Sequence, residues 1–377
     1  MRVVFLTHNY PRYPGDVAGA FLHSLARALA GRDHDVRVVA PSDQGAGGST
    51  EVDGIPVERV RYATPGRERY AYSGRMQEAL RSPAGWFAML RLTAALRRGA
   101  EAAAGTDPAT VIHAHWWFPA GLAAPPRPCV VTLHGTDARL LTKPGAGWLA
   151  RRALRRGRVV TAVSRHVASQ VEQATGLVVD EAHRSPMPLE LPSRRSAGGG
   201  GVVFVGRLTR QKRVHLALAA HARLITGGLR LPFLIVGDGP ERANLTGIAE
   251  QLGTGLVRFA GQVAPDQVPS VIGDADIFVF PAIGEGLGLA VIEALACGVP
   301  VVVCRDGGGV LDIVGSGAAG ISVDPTGEAI AAGVLAVLRD PAARHRAAEA
   351  GERYRTELAP VRVAERCEAW YREALGV

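Results

Sequence analysis

The residues best suited to chemistry are two carboxylates, Glu285 and Glu293, in the run Glu285-Gly-Leu-Gly-Leu-Ala-Val-Ile-Glu293-Ala-Leu-Ala-Cys-Gly298. The apolar stretch Leu289 to Cys297 reads as a helix opened by Gly286 and Gly288. A helix start leaves backbone N–H groups without intrahelical partners, so it attracts an anion, and glycines there let a phosphate approach the backbone. Eight positions at about 100° each leave the two carboxylates roughly 80° apart on an ideal helix. One can then face a sugar while the other faces a ribose, since ionised carboxylates accept hydrogen bonds from paired hydroxyls. The plain alternative for Glu293 is a half-exposed helix glutamate. It is embedded among Ile292, Ala294, Leu295 and Ala296, however, and an acid in apolar surroundings needs a partner.

A second segment, Val205-Gly206-Arg207-Leu208-Thr-Arg-Gln-Lys212, leaves an apolar strand. Gly206 permits a tight turn, and Arg207 and Lys212 are placed to neutralise phosphate oxygens. Solvated surface charge is the usual reading of such residues. Here Lys212 is one of only two lysines, with Lys143, and it falls at a sheet's carboxyl edge. Breaking a glycosyl–phosphate bond leaves negative charge on the diphosphate. Arg207, Lys212 and the helix start are aimed where that charge grows, and such preorganised donors contribute ~3 kcal/mol each in a transition state.

The elements that must hold these residues alternate strand and helix. Apolar runs at Val3 to Leu6, Val36 to Ala40, Val111 to His113, Val130 to Leu133 and Val159 to Val163 suit strands buried on both faces. Leu22, Leu25 and Leu29 mark a helix after the first of them. The pattern breaks between Pro186 and Gly201, then restarts with Val202 to Val205, Phe233 to Val236, Val257 to Phe259, Ile277 to Phe280, Val301 to Val303 and Ile321 to Val323. The expectation is an α/β protein of two Rossmann-like domains facing each other across a cleft. The first spans 1–188, a linker 189–201, the second 202–360, and a terminal helix 361–377 returns to the first.

Composition agrees with two cores: 377 residues are too many for one compact domain, and 47% are apolar. The formal charge of +8 is nearly all arginine, scattered without aromatic interleaving, which argues against nucleic acid. The basic segment Arg151 to Arg158 leaves peripheral membrane contact open. Cys129, Cys297, Cys304 and Cys367 form no metal clip and read as buried thiols. With no signal peptide and no membrane-length apolar run, a cytoplasmic location is expected.

These segments resemble the family 4 retaining glycosyltransferases of GT-B fold. The family's E-x7-E signature matches Glu285 and Glu293, and its G-R-L-x-x-x-K segment matches Gly206, Arg207, Leu208 and Lys212. The resemblance covers most of the chain and is strongest from 202 to 314. It implies that Glu285 contacts the transferred sugar and Glu293 the ribose. It also implies that Arg207 and Lys212 bind the diphosphate with the backbone near Gly288 and Leu289, and that the base lies against Gln262 and Val263. The donor is a nucleotide diphosphate sugar, with UDP implied by family frequency, and the acceptor a hydroxyl on a small molecule, glycan or lipid. No metal or other cofactor is expected, and a front-face mechanism lets the leaving phosphate assist acceptor deprotonation. In the first domain, Thr132-Leu-His134-Gly-Thr-Asp137 matches the family's His loop, which would place His134 beside the donor sugar. The Gly-bearing loop Gly15 to Gly19 lacks the family's glutamate, leaving Asp16 and Gly19, with Asp137, as acceptor-side candidates; His113-Ala-His115-Trp116-Trp117 could also line that side. Asp312 stands where the family more often has Glu.

Asp274-Ala-Asp276 and Asp33-His-Asp35 precede strands, the wrong edge for a ligand, and read as turns or caps. Gly237-Asp-Gly-Pro240 reads as a turn, and Gly307 to Gly309 as a weaker phosphate-facing helix start. Two other functions compete with sugar transfer: a nucleotide-sugar epimerase on the same fold, and a non-catalytic nucleotide-sugar-binding protein.

Overall fold

The computed structural model describes residues 1–44, 47–68, 70–72, 76–79, 82–155, 159–191, 198–315 and 319–377. Residues 192–197 of the expected linker and 156–158 of the basic segment lie outside the described residues. The chain divides into two compact units, Met1–Leu189 with Leu358–Val377, and Glu190–Glu357.

The first unit holds a seven-stranded sheet of β1 (Arg2–Leu6), β2 (Asp35–Pro41), β3 (Gly48–Val52), β4 (Ile55–Val60), β5 (Val111–His115), β6 (Cys129–Leu133) and β7 (Val159–Ala162). Its order is β3-β4-β2-β1-β5-β6-β7. Every pair is parallel except β3 with β4. Parallel strands are covered on both faces, which is why β5 and β6 are buried at every residue.

The β3–β4 hairpin has no counterpart among the strands expected from sequence. Four of the five β3 residues are exposed, so no apolar run announces it. Its signal is the turn itself: Asp53 and Gly54 both sit at positive φ (46° and 81°), the pattern of a two-residue hairpin loop. Helices α1 (Ala20–Ala30), α2 (Met76–Ala79), α3 (Pro83–Ala104), α4 (Ala146–Leu154) and α5 (Arg165–Thr175) complete the first pass through this unit. Leu22, Leu25 and Leu29 are fully buried on one face of α1, as their spacing requires.

The second unit holds β8 (Val202–Val205), β9 (Phe233–Val236), β10 (Val257–Gly261), β11 (Ile277–Phe280), β12 (Val301–Cys304) and β13 (Gly320–Val323). They form one sheet in the order β10-β9-β8-β11-β12-β13, parallel throughout. Its helices are α6 (Val214–Thr226), α7 (Arg242–Gln251), α8 (Val268–Gly273), α9 (Leu289–Ala296), α10 (Val310–Val314), α11 (Gly327–Arg339) and α12 (Ala343–Glu357). The last helix, α13 (Pro360–Leu375), belongs to the first unit, where it packs on α1 and on β5, β6 and β7.

Leaving out β3, both sheets share one order: the third strand, second, first, fourth, fifth and sixth. This is the dinucleotide-binding arrangement, in which ligands gather outside the carboxyl ends of the first and fourth strands, where the winding reverses. Those points lie between β1 and β5 in one unit and between β8 and β11 in the other. Among the described residues, no helix is long and apolar enough to cross a membrane. All four cysteines are free and buried.

Candidate functional site

At the β8/β11 reversal, the loops leaving both strands meet. β8 runs into Gly206, Arg207 and the short 3-10 turn Arg210–Lys212, and β11 runs into Pro281 to Glu285. Lys212 Nζ lies 3.0 Å from Glu285 Oε1, with both side chains about 15% exposed. Gln211 Nε2 donates to the same oxygen at 2.7 Å. The ammonium also sits 4.5 Å from the Phe280 ring centroid, an arrangement that favours a cation. The sheet thus joins a cation and a carboxylate from the two sequence motifs.

A second arginine braces this loop. Arg213, held at φ 47°, donates through Nε to Pro281 O at 2.8 Å and grips Asp306 with two bonds of 2.8 and 2.5 Å. Asp306 O accepts from Gly284 N, Gly307 O from Glu285 N, and Glu285 O from Gly309 N. The Glu285 backbone is therefore stitched to the loop after β12. Neither Gln211, Arg213 nor Asp306 stood out in the sequence. Their partners are distant in the chain, and no local pattern marks them.

Helix α9 begins beside Glu285 with Gly288 at φ 92° as its N-cap and no side-chain cap. A Cβ on Gly288 would stand 2.3 Å from Val310 Cγ1, so only glycine fits. Among the described residues, the amides of Leu289 and Ala290 have no hydrogen-bond partner, as expected at an uncapped helix start. Glu293 lies half-buried one turn on, flanked by buried Ile292 and Ala294. Its carboxylate has no protein partner among the described residues, and burial raises its pKa.

Arg207 is exposed and, among the described residues, unpaired. Its loop is held by the end of β9 and the Gly237-to-Pro240 turn: Gly206 N donates to Val236 O at 3.0 Å, and Leu208 N to Asp238 O at 2.9 Å. That turn braces the phosphate candidate. Val263 is half-buried in the loop after β10, on the same sheet edge but two strands from β8. Asp276 accepts from Gly199 N and Gly201 N and pairs with Arg344, while Asp35 pairs with Arg2, so both D-x-D aspartates work as braces.

In the first unit, the β5 and β6 ends bring histidines together. His134 Nε2 lies 3.2 Å from His115 Nδ1, and its ring packs 4.4 Å from that of Trp116. Trp116 has φ 69°, a strained backbone for a bulky residue. Burial holds His134 and His115 well below the usual histidine pKa, with neighbouring histidines adding to the effect. His113 is pushed down to about 3 by burial and bridges Tyr371 and Thr132. His134 is therefore a neutral imidazole near pH 7.

The acceptor-side carboxylates are differently placed. Asp137 is 2% exposed; Oδ1 accepts from His134 N and Gly135 N, and Oδ2 from Trp117 N. Burial pushes its pKa up to about 6 despite those amides. It clasps two loops. Asp16 is likewise engaged: burial would raise its pKa, but Arg12 and the amides of Arg12 and Ala18 hold it low. Gly19 caps α1 at φ 72°, where a Cβ would lie 2.5 Å from Asn9 O. Both Trp116 and Trp117 are buried.

Residues 18–184 match the family model for Glycosyltransferase Family 4, and residues 196–354 the model for glycosyl transferases group 1. The chain is 30% identical over 371 residues to the D-inositol 3-phosphate glycosyltransferase of Acidothermus cellulolyticus, covering 88% of this chain and 80% of that protein. The sucrose-phosphate synthase of Thermosynechococcus elongatus superposes with a TM-score of 0.78 at 19% identity, over 100% of this chain and 99% of that one. Anabaena HepE in complex with UDP-glucose gives 0.71 at 20% identity, over 98% and 99%. The structural likenesses show a shared fold. Nothing in these matches supports the epimerase alternative.

Proposed function

The chain belongs to the glycosyltransferases of family 4, and from that premise we propose that it transfers a hexose from UDP to an acceptor hydroxyl with retention of configuration and without a metal. The observation that carries this reading is the pairing of Lys212 with Glu285 beside the uncapped start of α9. Glu285 contacts the sugar, and Glu293 takes the ribose diol. Lys212, Arg207 and the Leu289 and Ala290 amides receive the diphosphate, supplying positive charge that a metal would otherwise supply. Gly206, Gly286 and Gly288 keep the backbone open to it, and Val263 lies against the base. The sugar C1–O(phosphate) bond breaks and the C1–O(acceptor) bond forms on the same face. The acceptor proton passes to the departing phosphate oxygen. His134 contributes one hydrogen bond as a neutral imidazole. UDP is favoured because HepE, a protein of this fold, binds UDP-glucose.

The test is a panel of nucleotide sugars with and without EDTA, with the anomeric configuration of the product read by NMR. UDP-linked hexose should give the highest turnover, unchanged by chelation and with configuration retained. An inverted product overturns the retaining reading. Glu285→Ala should lose transfer while keeping nucleotide affinity, and Lys212→Ala should lose about 10²-fold or more in turnover; wild-type rates in either remove that residue from the mechanism.

A further inference from the structure

Three consecutive residues after β8 reach the Glu285 loop, each with a different chemistry. Arg213 braces Pro281 and Asp306, Lys212 brings a charge to Glu285, and Gln211 brings a neutral amide. Arg210, one residue earlier, turns away: its side chain is 93% exposed and lies 3.3 Å from Glu241.

Gln211 grips the loop through its backbone and its side chain together. Its backbone oxygen accepts from Ile283 N at 3.0 Å. Its Nε2 lies 3.1 Å from Ile283 O, 3.4 Å from Gly284 O and 2.7 Å from Glu285 Oε1. All three neighbours are acceptors, so the amide must present its NH2 group to them. The shortest contact goes to the carboxylate, where the acceptor's charge strengthens the bond.

Lys212 is a poor lasting anchor for that carboxylate. Its ammonium is 3.0 Å from the same Oε1, yet in the reading proposed above it also receives the diphosphate. An incoming diphosphate carries more charge than one carboxylate and competes for the ammonium. The Gln211 amide is neutral, feels no comparable pull and is tied to Ile283 by its own backbone. It engages one oxygen of Glu285; among the described residues nothing is bonded to the other, Oε2, which stays available to a sugar hydroxyl.

We propose that Gln211 is a positioning residue for sugar transfer: it holds the Glu285 carboxylate toward the transferred sugar while Lys212 turns to the diphosphate. The inference rests on the reading of Glu285 as the sugar contact.

Gln211→Met keeps the length of the side chain and removes the amide. The full chain and this variant are compared by calorimetry with UDP and with the UDP-hexose that the wild type turns over fastest, and by steady-state kinetics. UDP affinity should be unchanged, the extra affinity of UDP-hexose over UDP should be lost, and kcat should fall roughly 10- to 100-fold, the scale of losing a hydrogen bond to a charged group. A residue that only kept the loop folded would weaken UDP and UDP-hexose alike. Gln211→Glu adds a pH readout. The substituted carboxyl donates to Glu285 only when protonated, and two carboxyls this close hold a shared proton more tightly. Its turnover relative to wild type should therefore rise as the pH is lowered, while the ratio for Gln211→Met stays flat. The proposal is overturned if Gln211→Met keeps wild-type turnover, if it loses UDP and UDP-hexose affinity equally, or if the Gln211→Glu ratio does not rise in acid. Wild-type turnover in Glu285→Ala would remove the sugar contact itself and this inference with it; wild-type turnover in Gln211→Met alone removes only the positioning role.

Discussion

Glu293→Gln should make the free protein more stable and the donor complex weaker. The glutamate lies half-buried on α9 without a protein partner, and burial raises its pKa. A carboxyl whose folded pKa is raised costs the fold stability once ionised. That cost is absent below the unfolded value of about 4.3 and fully present above the folded one. Glutamine removes it, so the gain should appear near neutral and alkaline pH and vanish in acid. The lower end of the cost of a buried unpaired group, about 1 kcal/mol, sets its size. In a unit of this length that is about 2–4 °C in a thermal transition. With donor bound, the order reverses. A hydrogen bond to a carboxylate exceeds one to a neutral amide by about 1–2 kcal/mol, or roughly 5–30-fold in affinity. Calorimetry with UDP and with 2′,3′-dideoxy-UDP separates the ribose contact from general damage. Wild type should lose affinity for the dideoxy nucleotide, and the variant should discriminate little between the two. Equal discrimination by both proteins, or an alkaline loss of stability in the variant, would refute the reasoning.

Three further outcomes follow from the same geometry. Asp306→Ala leaves the Arg213 guanidinium without its carboxylate; because Asp306 is 37% exposed, the stability loss should be about 1 kcal/mol rather than the several expected of a fully buried pair. The larger effect should be on turnover, since the Glu285 loop loses its anchor, and wild-type turnover would show that the brace is idle. Gly288→Ala forces a side chain onto Val310 at positive φ and should cost about 1–3 kcal/mol, measured by denaturation, with a parallel fall in nucleotide affinity. His113, held down to about 3 by burial, stays neutral while an unfolded chain takes up a proton below about 6.5. Its contribution therefore falls as pH drops, and His113→Gln should flatten the stability profile between pH 6 and 4 by about 1.4 kcal/mol per pH unit relative to wild type; parallel profiles would show the ring is already charged in the fold.

Much of this protein is local and therefore legible from sequence. Eleven of the thirteen described strands fall on runs expected from the sequence, most of them apolar because parallel strands hide both faces, and β8, β9 and β11 match their expected spans. The opening of α9 by Gly288 and the embedding of Glu293 depend only on residues within a few turns. The β3–β4 hairpin escaped because its outer strand faces water, although Asp53-Gly54 carried the turn signal. Tertiary structure alone decided the rest. Strand order cannot be read from the order of segments, and it is the adjacency of β8 and β11 that brings Lys212 to 3.0 Å from Glu285. The same folding pairs Arg213 with Asp306, engages Asp137 with loop amides and Asp16 with Arg12, and makes His134 neutral by burying it among other histidines. A residue's type states what chemistry it can do. Whether its charge is paired, desolvated or left free depends on neighbours that only the closed sheet supplies.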